Sequence, residues 1–128
     1  MARYLLDTTV LIDYLQGERK TVELVAGLAN QGHELGICCV NVAEVYSGLG
    51  KEDRGKAYKL INSLGFYEIS REIAIEAGSY RFHFARKGIT LTVSDTLIAA
   101  TAIAYGATLV TANVRDYPME GLAVLQQP

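Results

Sequence analysis

The sequence predicts an α/β domain built on a parallel sheet with helices over both faces. Short apolar runs alternate with helical runs along the chain, the pattern of a parallel sheet whose crossovers are helices. Helical runs close on glycine at Gly17, Gly32, Gly65, Gly88 and Gly106, a residue that ends helices readily. No repeat, low-complexity tract or linker breaks the alternation, and the only prolines are Pro118 and Pro128. The chain of 128 residues is therefore read as one domain, 1–128.

The elements follow in order. "RYLLD" is the first strand, and "TTVLIDYLQG" the first helix. "KTVELVAGLANQG" is the second helix, with Val22, Val25, Leu28 and Ala29 at helical spacing. "ELGICCV" reads as the second strand, bounded by Gly32 and Asn41. "NVAEVYSGL" opens a third helix and "RGKAYKLINSLG" a fourth that stops at Gly65. "FYEIS" is a short third strand, and "REIAIEAGSYRFHFARKG" a long fifth helix. "SDTLIAATAIAYG" is the sixth helix, "ATLVTAN" the fourth strand, and "LAVLQ" a fifth strand at the sheet edge.

Composition narrows the function classes. No apolar run approaches the roughly 18 residues of a membrane span. The N-terminus enters a strand without the basic and apolar regions of a signal peptide, so the expected location is the cytoplasm and no membrane partner is expected. Cys38 and Cys39 are adjacent in what reads as a strand, where neighbours face opposite ways; they imply no disulfide framework and no metal site. The formal net charge of −2 sets no general affinity for nucleic acid. Local basic groups occur at Lys51, Arg54, Lys56 and Lys59, and at Arg81, Arg86 and Lys87.

The acids carry the chemistry. In parallel α/β sheets ligands bind beyond the carboxyl ends of the strands. Asp7 ends the first strand, Glu44 lies one helical turn past the second, and Asp95 opens the sixth helix. The fourth strand runs into "TANVRD", with Thr111, Asn113 and Asp116. Each acid also has a local use. Asp7 precedes a helix, and Asn41 with Glu44 and Thr92 with Asp95 both have capping-box spacing. Capping makes no demand that acids from separate elements converge, whereas a hard cation such as Mg²⁺ needs oxygen ligands and takes carboxylates together with water and phosphate. His33 and His83 lack ligand-like neighbours, which argues against zinc. There is no P-loop, no G-x-G-x-x-G and no G-x-S-x-G elbow. Metal-assisted phosphodiester chemistry is what remains.

"LLDTTVLIDYL", "NVAEVYSGL" and "SDTLIAATAIAYGATLVTANVRDY" occur in the order of a known family. Over essentially the whole chain the protein resembles the PIN-domain ribonucleases, and among them the VapC-type toxins of toxin–antitoxin pairs. The resemblance implies a three-layer α/β/α sandwich around a parallel sheet of four to five strands. It also implies a Mg²⁺-dependent endoribonuclease, with Mn²⁺ as a substitute. Carried over by position, Asp7, Glu44 and Asp95 are the expected metal-binding acids. The family's fourth acidic position falls at Asn113, an amide, with Asp116 close by. Thr9 and Thr111 are candidate hydroxyl partners that orient an acid or a water.

The partners implied are an RNA substrate, a VapB-type antitoxin laid over the acidic cleft, and a second copy of the chain; DNA is met only through the antitoxin. Arg81, Arg86 and Arg115 are candidates for a basic rim guiding RNA, and Tyr46 and Tyr58 for a protein contact. Other readings stay open: an RNA-processing PIN nuclease without an antitoxin, a non-cleaving PIN scaffold, or a small metal-dependent phosphatase or receiver-like phosphoacceptor.

Overall fold

The protein is described by a computed structural model covering residues 1–128. Its strands are β1 (Arg3–Leu6), β2 (Glu34–Ile37), β3 (Gly65–Phe66), β4 (Ala107–Thr111) and β5 (Val124–Gln126). They form one five-stranded sheet in the order β3-β2-β1-β4-β5, parallel at every pairing. Six helices connect them: α1 (Thr8–Leu15), α2 (Arg19–Asn30), α3 (Cys39–Ser47), α4 (Arg54–Ser63), α5 (Arg71–Ala85) and α6 (Val93–Ala104). Short 3₁₀ turns at Lys51–Asp53 and Val114–Asp116 complete the chain.

Strand alternation builds the three layers. Leu5 and Leu109 turn to one face and pack with Ile98, Ala99 and Ala102 of α6; Ala77 of α5 is also buried. Leu6, Ile37 and Val110 turn to the other face and pack with Val10, Leu11, Val25, Leu28, Val45 and Ala57 from α1 to α4. Both faces of the sheet are thus covered, which is why its strands read as continuous apolar runs. The result is the α/β/α sandwich expected. No helix is long and apolar enough to cross a membrane.

Three local expectations are corrected. The second strand ends at Ile37: Cys38 is the N-cap of α3 and Cys39 lies in its first turn, so the cysteines do not share a strand. The cause is Asn41, whose Oδ1 accepts from the Cys38 backbone N–H at 2.9 Å and from its Sγ at 3.2 Å. That bond moves the N-cap three residues earlier, from Asn41 to Cys38, and it displaces the proposed Asn41–Glu44 capping box. The third strand shrinks from "FYEIS" to Gly65–Phe66, so Gly65 belongs to the sheet rather than to the end of α4. Gly36 of β2 is there for space: a Cβ would stand 2.5 Å from the Tyr67 ring.

Candidate active site

Strand order and helix caps bring the site together at the carboxyl edge of the sheet. Asp7 follows β1 directly and is the N-cap of α1; its Oδ1 accepts from the Thr8 backbone N–H at 2.8 Å. Capping and site roles therefore coincide at this residue. Asp7 is only 5% exposed, and a buried carboxylate needs donors. It has two more, both on Oδ2: the Thr111 hydroxyl at 2.6 Å and the Tyr117 phenol at 3.1 Å.

Asp95 arrives from the opposite layer. Thr92 caps α6 by accepting from the Asp95 backbone N–H at 3.1 Å, as the spacing predicted. The Asp95 side chain then faces Tyr117, whose phenol oxygen is also 3.1 Å from its Oδ1, so that its one proton is shared between the two carboxylates. One phenol thus stands between the carboxylates of Asp7 and Asp95. Burial pushes the Asp95 carboxyl above its ordinary range, and the charges of Asp116 and Asp7 add to this, against the opposing hydrogen bonds from Thr92 and Tyr117. The Tyr117 phenol is pushed up strongly, by burial first and then by the two carboxylates, so it stays a donor.

Glu44 lies on the same edge, on α3, but it is tied to a hydroxyl. The Thr8 hydroxyl donates to its Oε1 at 2.5 Å, and the Asn41 amide donates to Thr8 Oγ1 at 3.2 Å. Thr8, not Thr9, is therefore the hydroxyl that meets an acid. Thr9 is turned elsewhere: its hydroxyl donates to Gln127 Oε1 at 3.3 Å, in a network where the Gln127 amide reaches Asp13 and Thr21. Consecutive helical residues diverge by about 100° around the axis, so adjacent threonines serve different neighbours.

Thr111 is placed as expected, fully buried between Asp7 and the Asn113 backbone N–H, which donates to its Oγ1 at 3.0 Å. The side chains of Asn113 and Asp116 are exposed and line an adjoining open groove of about 290 Å³ with Arg115 and Gln126. His33 accepts from the Ala2 backbone N–H and His83 packs edge-on against Phe82, so neither joins the acids.

The donor set fits a hard divalent cation in a limited form. Asp7, Asp95 and Glu44 are all oxygen donors, and none forms an ion pair; the two salt bridges are Arg3–Glu34 and Arg19–Glu23. Uncompensated negative charge, felt at Asp95, is what a cation would offset. No three acidic, histidine or cysteine side chains are gathered into a ready ligand cluster. The arrangement suits a hard divalent cation that keeps several waters and takes one or two carboxylates, better than a cage of protein ligands.

Two residues of the site were not singled out beforehand. Tyr117 was visible only as the aromatic that closes "TANVRDY", and Thr8 as the neighbour of the threonine chosen.

The PIN-domain sequence profile matches residues 4–117. The chain is 32% identical to ribonuclease VapC19 of Mycobacterium tuberculosis over 117 residues, 90% of this chain and 92% of that protein. It is 30% identical to ribonuclease VapC10 of the same organism over 115 residues, 90% and 86% of the two chains. In fold it resembles VapBC2 of Rickettsia felis, solved bound to a promoter DNA fragment, with a TM-score of 0.87, 23% identity and coverage of 98% and 99%. A DNA-bound VapBC from Salmonella typhimurium gives a TM-score of 0.86 at 22% identity with full coverage of both chains. The chain belongs to the PIN-domain family, in its VapC group.

Proposed function

We propose that the protein is an endoribonuclease that hydrolyses RNA phosphodiester bonds with a divalent cation, and that it acts as the toxin of a toxin–antitoxin pair. The observation that carries the reading is the meeting of Asp7 and Asp95, 88 residues apart by number, on one phenol beyond the strand ends. Capping alone explains neither the convergence nor the absence of a cationic partner. The relatives named ribonucleases support the substrate class, and those solved as VapBC complexes support an antitoxin partner.

In this reading Asp7 and Asp95 hold Mg²⁺, or Mn²⁺ in its place. The chemistry such a cation supplies is charge neutralisation at the phosphate and a lowered pKa for an attacking water. The chain's own residues do the rest. Thr111 and the Thr8 backbone N–H fix the Asp7 carboxylate from two sides. Glu44, held by Thr8, keeps its second oxygen free to orient a water. Asn113 and Asp116 flank the site in the adjoining groove, open to a substrate strand. Arg81, Arg86 and Arg115 have no carboxylate partner and are left to meet phosphates. Arg81 is steadied by donating from Nε to the Leu91 carbonyl at 2.8 Å, just before the cap of α6.

An uncompensated acid pair also suits a basic side chain from an antitoxin. For self-association the candidate surface is α5, where Ile75 and Phe82 are 61% and 58% exposed and lie two turns apart on one face.

The test is cleavage of a pool of small structured RNAs by protein freed of any partner, with Mg²⁺, Mn²⁺ or excess chelator. Discrete, metal-dependent cuts that vanish in Asp7→Asn and Asp95→Asn are expected. A pattern shared by wild type and both variants would remove the assignment. Hydrolysis of small phosphate esters with none of RNA would favour a phosphatase.

A further inference from the structure

We propose that Tyr117 is a positioning residue that holds Asp7 and Asp95 as a pair through its single phenolic proton, ready for a divalent cation. The proposal rests on the metal-site reading above and goes beyond it by assigning the residue that arranges the acids before any cation binds.

The geometry is specific. The phenol oxygen is 3.1 Å from Oδ2 of Asp7 and 3.1 Å from Oδ1 of Asp95. It has one proton and two anionic acceptors. The two carboxylates repel, and they come from opposite layers with no backbone element joining them. Asp7 is secured independently by Thr111 and by the Thr8 backbone N–H. Asp95 is not: its carboxylate has Tyr117 as its one donor from another element, and its side chain is partly exposed. Without the phenol, only Thr92 of its own helix cap holds the Asp95 carboxylate, and nothing directs it toward Asp7.

The ring itself cannot wander. Tyr117 is 5% exposed and packs in the cluster that contains Leu5, Ile98, Leu109 and Met119. Its hydroxyl is the only polar atom of the side chain, so phenylalanine preserves the packing and removes the link alone. An aromatic kept for packing would not require the hydroxyl. Here the hydroxyl is aimed at Asp7 and Asp95 at once.

A lone-pair count shows what the cation meets. Oδ2 of Asp7 already accepts two donors, from Thr111 and Tyr117, whereas Oδ1 accepts one, from Thr8. Asp7 therefore offers a cation a free lone pair on Oδ1 while Oδ2 anchors it. Tyr117 keeps a partner whichever carboxylate its proton favours, and its environment changes when charge arrives beside it.

The test is Mg²⁺ and Mn²⁺ binding by calorimetry to partner-free wild type and Tyr117→Phe, with tyrosine ring carbons labelled for NMR. Fixing one side chain on binding predicts roughly two- to tenfold weaker affinity in Tyr117→Phe, with thermal unfolding still cooperative. In wild type one carboxylate-bound tyrosine signal is expected to shift with the cation. Tyr67, which donates to Glu34 Oε2 at 2.6 Å at the opposite edge of the sheet, is an internal reference that stays still. This second readout needs no variant to fold. Equal affinities, or a shift in neither signal while wild type binds the cation, would overturn the positioning role and leave the metal site standing. No cation binding by wild type would overturn both.

Discussion

Replacing Thr111 by valine separates hydrogen bonding from packing at the base of the site. Thr111 is fully buried, and valine has nearly its shape, so the change opens no cavity and adds no bulk. It removes the 2.6 Å hydrogen bond to Asp7 and leaves the Asn113 N–H without the hydroxyl that accepts from it. A hydrogen bond to a charged group contributes about 1.5–3 kcal/mol, and the Asp7 carboxylate is too buried for water to replace the donor fully. Valine's better fit to a strand returns a few tenths. The net expectation is about 2–3 kcal/mol lost, or roughly 6–12 °C in Tm for a domain of this size. Thr111→Ser is the control. It keeps the hydroxyl and deletes one methyl group, which costs about 1 kcal/mol. Packing alone ranks valine above serine, whereas hydrogen bonding to Asp7 ranks serine above valine. Urea unfolding in excess chelator, so that no cation compensates, decides between them. A valine variant as stable as wild type, or more stable than serine, would refute the account.

Asp95→Asn should stabilise the metal-free protein at neutral pH. The folded-state carboxyl lies above its ordinary value of 3.8, so the stability tied to its protonated form is complete below that value and lost as pH rises through the folded pKa. The amide escapes that loss; urea midpoints of variant and wild type should diverge from acid toward neutral pH, and a constant gap would contradict the sign. Gly36→Ala should destabilise by about 1–3 kcal/mol, because its Cβ meets the Tyr67 ring at 2.5 Å while that ring is held by stacking on Tyr105 and by Glu34. Unfolding within about 0.5 kcal/mol of wild type would show that the ring moves freely. If the chain self-associates through α5, Phe82→Glu should shift its sedimentation toward monomer without altering the fold, and an unchanged species would exclude this face.

The strand-helix alternation and the acids at strand ends were legible because they are local or periodic. Asp7 follows its strand immediately, and Thr92 stands three residues before Asp95. What escaped depended on distance or on rotation about a helix. Nothing near Tyr117 in sequence tells that its hydroxyl meets Asp7, since the partner is 110 residues away. Thr8 and Thr9 are chemically identical, and only the placement of α3 and of Gln127 decides which faces an acid. The run "ICCV" reads as strand because all four residues are apolar; Asn41 overrules it by capping backward onto Cys38. The convergence expected of three acids resolved into a pair on one phenol, with Glu44 beside it on its own hydroxyl.

β1 is the first strand to be made and lies at the centre of the sheet, yet one of its two neighbours, β4, begins at Ala107. Asp7 waits for Thr111 and Tyr117, which follow it by 104 and 110 residues. Contacts of such long range close late in folding. A product that stops short of Thr111 and Tyr117 therefore has no paired acids. For a nuclease, the acids thus stay unpaired until β4 and the turn after it have been made and have joined the sheet.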